Sequence, residues 1–416
     1  VSDDNREPEF LAKSTNLPSW SAVWHAHKDG IRIQPDPLLF VFHLVGPSHE
    51  WKTVHNTILR RTGLALGVAF LASSLASSPA SATPGLFGSQ NATYDGVYRQ
   101  SLVISGLRAN KVAVPKAAIA WLIGQQCADG GFESFRADTS VACTPGDPNT
   151  YSGEDTNSTA AALLAFASLK DKVHAKRALT FLRSVQNADG GFPYYKGGAS
   201  DVNSTAMALL ALTAYGVKPA SVHVADLTPI DFLITATVGC EGAEADRGGL
   251  AYMPGKPNFV SDMATVQALA ALATATPWAK PVKQTKRAAV VPVLTCPGTL
   301  SDSVPVLRDT VSGYLARRLA DHGNLIPNSW SPGNDISSSI WAVIGLAAAD
   351  RAGTQAALTD NAIRTNAAAY VVDAAGAPNA GRLGLLLLLV ASRHESPTSF
   401  GGVNLVSRAL GSLSAS

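Results

Sequence analysis

Between Val173 and Gly216 the apolar positions change pattern, and the change predicts two helices of different kinds. Over His174–Gln186, Ala175, Ala178, Leu179, Leu182 and Val185 recur at helical spacing while Lys176, Arg177 and Arg183 fall elsewhere. That pattern marks a helix with one face in water. Asp189-Gly190-Gly191 ends it, because glycine supplies the left-handed conformation that satisfies the last carbonyls. The next run, Thr205–Tyr215, is apolar on every side and must be covered all round by protein. Ahead of it stand Asp201, Asn203 and Ser204, all good N-cap types. The unit is one outer helix and one inner helix.

The unit recurs along the chain. Ala117–Phe132 and Glu154–Leu169 form a copy upstream, with a period from Phe132 to Phe192 of about 60 residues, long because the linking loops are long. Downstream the copies decay. Leu227–Val238 leads to Ser261–Ala275, Leu307–Leu319 to Asn334–Ala349, and Asn361–Val372 to Gly381–Ser392. Asp95–Arg108 reads as an inner helix with no outer partner before it, and Phe400–Leu413 as an outer helix with no inner partner after it. Six inner and six outer helices with complementary ends predict an all-α fold, a closed α6/α6 toroid that leaves no terminal repeat exposed.

Composition agrees with helix and narrows the partners. The 416 residues are 46% hydrophobic and 15% charged, with a net charge of +2. That balance gives no electrostatic case for nucleic acid or for a membrane surface. Residues 1–53, with Trp20, Trp24 and Trp51 and no periodicity, read as an extension foreign to the fold or as a start assigned too far upstream. Residues 54–82 read as an export signal: Arg60-Arg61, an apolar stretch from Leu64 to Leu75, then Ala80-Ser81-Ala82 as the cleavage site. About 12 apolar residues are too few to span a bilayer, so the mature chain is expected to start near Thr83 with no integral membrane span and to be secreted. Residues 83–416 are then the toroid.

Cys127, Cys143, Cys240 and Cys296 all fall in the expected mature chain. An even count in an exported protein reads as two disulfides. Of three pairings, Cys127–Cys143 with Cys240–Cys296 is the most local. Zinc is the rival reading, but no C-x-x-C and no histidine stands at ligand spacing. No metal and no cofactor is expected.

No G-x-S-x-G, P-loop or H-E-x-x-H occurs, and no residue is assigned as catalytic. The loops carry the candidate chemistry instead. Each long loop joins an outer helix to an inner helix, so these loops gather on one rim. Ahead of the inner helices stand Tyr94-Asp95, Tyr151 with Asp155, Tyr194-Tyr195 with Asp201, Tyr252 with Asp262, and Trp330 with Asp335. The sixth loop brings Arg382. Helix capping accounts for an aspartate at such a place. An aromatic rim with a few polar groups is also what lines small-ligand sites. His174, His223, His322 and His394 do not converge and read as surface residues.

The repeated QQCADGGF and QNADGGF, each followed by D-x-N-S-T-A, resemble the repeats of the squalene-cyclase and protein-prenyltransferase superfamily, alpha-alpha toroids also used by cobalamin carriers. The resemblance covers about Asp95–Leu413. In triterpene cyclases of that type the acid motif is D-x-D-D-T-A, whose middle aspartate protonates an alkene. Here Asp155-Thr156-Asn157-Ser158 and Asp201-Val202-Asn203-Ser204 put asparagine in place of that acid twice. The zinc triad of the prenyltransferases has no match either. The resemblance therefore implies a non-catalytic toroid that binds a small apolar or aromatic ligand, an isoprenoid or a corrinoid among them, or a protein partner. The alternative is a divergent terpene cyclase, or another α6/α6 enzyme, that uses rim aspartates.

Overall fold

A computed structural model of the chain describes residues 84–255, 260–273, 275–296 and 303–415. The expected extension 1–53 and export signal 54–82 lie outside the described residues. Inner helices α1 (Gly96–Ala109), α3 (Thr156–Leu169), α5 (Val202–Ala214), α7 (Asp262–Ala271), α9 (Ile336–Ala349) and α11 (Ala380–Ser392) alternate with outer helices. The outer set is α2 (Lys116–Gly124), α4 (Lys172–Val185), α6 (Pro229–Ala236), α8 (Val304–Asp321), α10 (Gly353–Tyr370) and α12 (Leu405–Gly411). Successive inner helices pack on one another, and α11 packs back on α1, closing the toroid. Among the described residues no helix is long and apolar enough to cross a membrane.

Closure is tight because glycine stands on both sides of the seam. A Cβ on Gly106 of α1 would lie 2.6 Å from the Leu387 Cβ of α11, and one on Gly384 would lie 2.7 Å from the backbone of Leu102. Outside the seam, the amide of Gly88 donates to Ser412 O (2.8 Å) and that of Ser414 donates to Leu86 O (2.9 Å), which ties the start of the toroid to its end.

The DGGF signature is packing chemistry. The first glycine, Gly130 or Gly190, has positive φ and lies so close to Arg177 O or Thr228 O that any side chain would strike that carbonyl. The second, Gly131 or Gly191, rests on a ring: a Cβ would stand 2.6 Å from Phe181 and 2.7 Å from Phe232 respectively. The aspartate, Asp129 or Asp189, accepts the second glycine's N–H at 3.0 Å in both copies. Helices α4 and α6 are thereby each docked onto the turn of the repeat before them.

Several boundaries differ from those the pattern predicts. Helix α5 opens at Val202 rather than Thr205, because the Asp201 side chain accepts the Ser204 N–H and brings Asn203 and Ser204 into the first turn. Ser261, not Asp262, caps α7. Helix α10 starts earlier than Asn361, with Ala356 and Thr359 extending its buried stripe. Helix α12 starts only at Leu405, since Gly401 and Gly402 hold positive φ and Asn404 is the cap. His174 is not a free surface group: it stands against Phe166, ring centroids 5.4 Å apart, and meets Asp171 at 2.6 Å. Two disulfides join Cys127 to Cys143 and Cys240 to Cys296, the most local pairing.

Candidate functional site

The N-terminal ends of the inner helices point to one face, and the repeat motif builds that face. In α5 the two oxygens of Asp201 accept the Ser204 N–H and the Ser204 hydroxyl, both at 2.7 Å. In α9 Asp335 holds Ser338 in the same two ways, at 3.0 and 2.6 Å. Asp155 accepts the Ser158 N–H at 2.7 Å. One residue further on, the hydroxyls of Thr159, Thr205, Thr265 and Ser339 accept the loop amides of Phe132, Phe192, Leu250 and Ile326 at 2.9–3.0 Å. These aspartates are caps, which satisfy donors that every helix leaves open at its start.

The tyrosines link one repeat to the next. Tyr194 O, in the loop before α5, accepts the Thr156 N–H of α3 at 2.9 Å, and Tyr252 O accepts the Val202 N–H of α5 at 2.9 Å. The backbone of each loop thus closes the preceding helix end. The rings of Tyr194 and Tyr195 meet edge to face, 4.6 Å apart, and the Tyr252 hydroxyl hydrogen-bonds Asp201. Asp155, Tyr194, Tyr195, Asp201 and Tyr252 therefore form one cluster.

Beneath the cluster runs a line of side-chain amides. Asn157 Nδ2 on α3 donates to Asn203 Oδ1 on α5 at 2.8 Å, and Asn203 Nδ2 donates to Gln267 Oε1 on α7 in a short contact. Three successive inner helices are joined in one direction, and the chain of amides ends in a buried acceptor, Asn157 Oδ1, with no hydrogen-bond partner. The Tyr98 hydroxyl of α1 reaches Met207 Sδ of α5 at 3.9 Å, skipping α3. That contact joins two inner helices that are not neighbours in the ring.

Burial holds the acidic groups of this face toward their neutral forms. Burial pushes the Asp155 carboxyl up to about 7 and the Asp201 carboxyl up to about 6, against the opposing hydrogen bonds from Ser158 and Ser204. Tyr194 is raised well above its ordinary value, by burial first and then by Asp155, Tyr195, Tyr252 and Asp201. Tyr98 is raised by burial. Both Tyr98 and Tyr194 are only half-buried by surface. Side chains that protein surrounds on most sides, yet that keep accessible surface, line a concavity.

The remaining expected rim residues stand apart from this cluster. Asp262 is buried between Tyr314, whose hydroxyl donates at 2.6 Å, and Arg318, whose Nε donates at 3.0 Å. Arg382 donates to Tyr370 O and Val372 O and lies over the Tyr370 ring, whose hydroxyl meets Ser337 at 2.8 Å. Tyr151 and Trp330 face outward, Trp330 being 61% exposed. Tyr98, Gln267, Tyr314 and Arg318 belong to this face and were not among the expected residues. Gln267 did carry a signal, as a lone polar residue inside the apolar run VQALAALA.

A cluster outside this concavity involves Glu154. Burial first, and then a hydrogen bond with Asp129, pushes its carboxyl up to about 8. In the next repeat the same place is taken by the Ser200 hydroxyl, which donates to Asp189 at 2.8 Å.

Residues 100–255 match the family model of the prenyltransferase alpha-alpha toroid domain, and the resemblance seen in the repeats holds there. No curated protein sequence matches the chain. Among solved structures, a protein from Actinoplanes is 15% identical over 72% of this chain and 90% of its own, with a TM-score of 0.44. The protein geranylgeranyltransferase-I of Candida albicans, in complex with GGPP, is 14% identical over 75% of this chain and 88% of its own, with a TM-score of 0.46. An ent-copalyl diphosphate synthase from Streptomyces platensis is 15% identical over 71% of this chain, which spans half of that longer enzyme, with a TM-score of 0.45.

Proposed function

We propose that this toroid is an exported binding protein that takes a small, largely apolar or aromatic molecule into the concavity at Tyr194, Tyr195 and Tyr252 and does no chemistry on it. The observation that carries this reading is the bond between Asn157 and Asn203. Both residues occupy the positions where the cyclase resemblance puts an alkene-protonating acid. An amide has no proton of suitable acidity to give, and these two are tied to each other. The carboxyls two residues before them, Asp155 and Asp201, are committed to capping Ser158 and Ser204. Aromatic walls with a few convergent polar groups suit a small-molecule site. Two disulfides suit an oxidising compartment, and the export signal expected at residues 54–82 is in keeping with it.

Titration of the purified protein with β-naphthol, followed by fluorescence, tests the reading. Saturable binding that Tyr194→Ala weakens is expected. Absence of saturable binding by wild-type protein sinks the reading. Sequencing the N-terminus of secreted protein tests export, with a start near Thr83 expected.

A further inference from the structure

Cys127, Cys143 and Glu154 meet where the loop between α2 and α3 folds back on itself. The two sulfurs and a Glu154 carboxylate oxygen all lie within 4.8 Å of one another. Asp129 joins them through its hydrogen bond with Glu154. The next repeat shows what ordinary packing puts at this place. There Asn187 stands for Cys127 and Ser200 for Glu154. The Asn187 amide donates to Ser200 Oγ at 2.9 Å, and the Ser200 hydroxyl donates to Asp189 at 2.8 Å. Two neutral donors and one carboxylate satisfy one another. In the first repeat both donors are gone, and two carboxyls face each other beside two sulfurs, so a proton has to sit between the carboxyls. Thiols and carboxyls gathered this closely are a donor set for a divalent metal ion.

The backbone holds this geometry without help from the S–S bond. The Glu154 N–H donates to Thr144 O at 3.0 Å and the Thr144 N–H to Glu133 Oε1 at 2.8 Å, which fixes the residue next to Cys143. On the other side the Cys127 N–H donates to Gly131 O at 3.0 Å. Cys127 and Glu154 are buried and Cys143 is partly exposed, so the cluster is screened from water yet open on one side. Ligand atoms of a tetrahedral zinc site stand about 3.3–3.8 Å apart, given bonds of about 2.0–2.3 Å. Once the sulfurs part, small shifts bring these groups to that spacing.

We propose that Cys127, Cys143, Glu154 and Asp129 form a redox-gated site for a zinc-like divalent metal ion, shut by the disulfide and opened by a dithiol reductant. A thiolate of the reductant attacks the accessible Cys143 sulfur, and Cys127 leaves as thiolate. The second thiol of the reductant then releases Cys143, so the reductant departs as its own disulfide and its two protons pass to the protein thiols. Zn(II) displaces those protons and the one between the carboxyls, and two thiolates with two carboxylates complete four-fold coordination. While the disulfide stands, its sulfurs have no thiolate to offer.

Cobalt and zinc titrations of the full chain test this. The protein is kept oxidised, or reduced without oxygen by a water-soluble phosphine that is then removed, so that no added thiol competes for metal. Reduced protein is expected to develop sulfur-to-cobalt charge transfer and the visible bands of tetrahedral Co(II), both erased by Zn(II). Oxidised protein should develop neither. Zinc should raise the Tm of reduced protein above its value in chelator and leave oxidised protein unmoved. Glu154→Gln keeps every thiol and should weaken Co(II) binding by about a hundredfold, since even an outer partner of a metal ligand is worth about 10–100-fold. Cys240→Ser, which disables the other cysteine pair, should leave the cobalt spectrum of reduced protein unchanged. The proposal is overturned by a reduced wild-type protein with no thiolate band or by an equal band in oxidised protein. Unchanged affinity in Glu154→Gln, or loss of the band in Cys240→Ser, overturns it as well. The Tm comparison on wild-type protein depends on the folding of no variant, and reduced protein that zinc fails to stabilise rejects the site.

Discussion

Asn157 on α3 and Asn203 on α5 share a 2.8 Å hydrogen bond, and Asn203 in turn donates to Gln267 on α7. Replacing Asn203 by aspartate would remove that donor and set a second carboxyl next to Asp201 in a buried place. An ionised carboxylate there cannot donate, whereas a protonated one can. Asn203→Asp is therefore expected to cost about 2–3 kcal/mol at neutral pH and less in mild acid. Urea unfolding midpoints measured at both conditions check this; equal losses at both would mean that the aspartate reaches water.

The glycine pairs make a sharper claim about the fold. Gly130→Ala would place a methyl group against the Arg177 carbonyl at a φ of +103°, so both strain and overlap act. Gly197 also holds a positive φ, +81°, but nothing lies within 4 Å of its would-be Cβ. Gly197→Ala is expected to cost about 1 kcal/mol and Gly130→Ala about 3 kcal/mol or more. Chemical denaturation of the two variants separates backbone strain from packing.

The same comparison explains what the sequence could and could not convey. DGGF, and the Asp, Ser and Thr that open each inner helix, act over a few residues or through a repeated neighbour, so they stand out as recurring letters. The closed toroid was legible for that reason. The α10 start and the α12 start were blurred because Gly353 and Gly401 give no periodic signal of their own. The site was legible only in part. Tyr194 and Tyr252 were visible as rim aromatics, but their carbonyls serve the neighbouring helix ends, a tertiary role no local pattern announces. Tyr314 and Arg318 reach Asp262 from an outer helix, 52 and 56 residues away in the chain. Asn157 and Asn203 were noticed for the acid they replace; their bond to each other appears only when α3 and α5 are side by side.

The two disulfides should differ in how they yield to reductant. Cys127 is buried and its partner Cys143 partly exposed, while Cys240 and Cys296 are both partly exposed. Thiolate attack needs access to a sulfur. Mild reduction without denaturant is expected to open Cys240–Cys296 first, since either of its sulfurs is open to attack, with Cys127–Cys143 following more slowly through Cys143 alone. For separations of 16 and 56 residues, the chain-entropy model gives stabilisation of about 3 and about 4 kcal/mol. Alkylation and peptide mapping over time read the order, and prior opening of Cys127–Cys143 would contradict it.

Stability should fall as pH rises from mild acid to neutral, because Asp155 binds its proton more tightly folded than unfolded. Its carboxyl is raised from the ordinary 3.8 to about 7 by burial, the Ser158 hydrogen bonds only partly opposing. Between those two values the folded state holds a proton that the unfolded state has released. The group's stabilising contribution is therefore fully present below the unfolded value and is lost as pH rises through the folded one. Asp201, raised to about 6, acts in the same direction over a narrower window. Wild-type Tm is expected to drop by about 5 °C from about pH 5 to pH 8, apart from contributions of other groups. Asp155→Asn keeps a cap oxygen for the Ser158 N–H and cannot titrate, so the variant should fold with a flatter profile over the same range. A variant profile as steep as wild type would place the titration elsewhere, with Glu154, raised to about 8, the first group to substitute next.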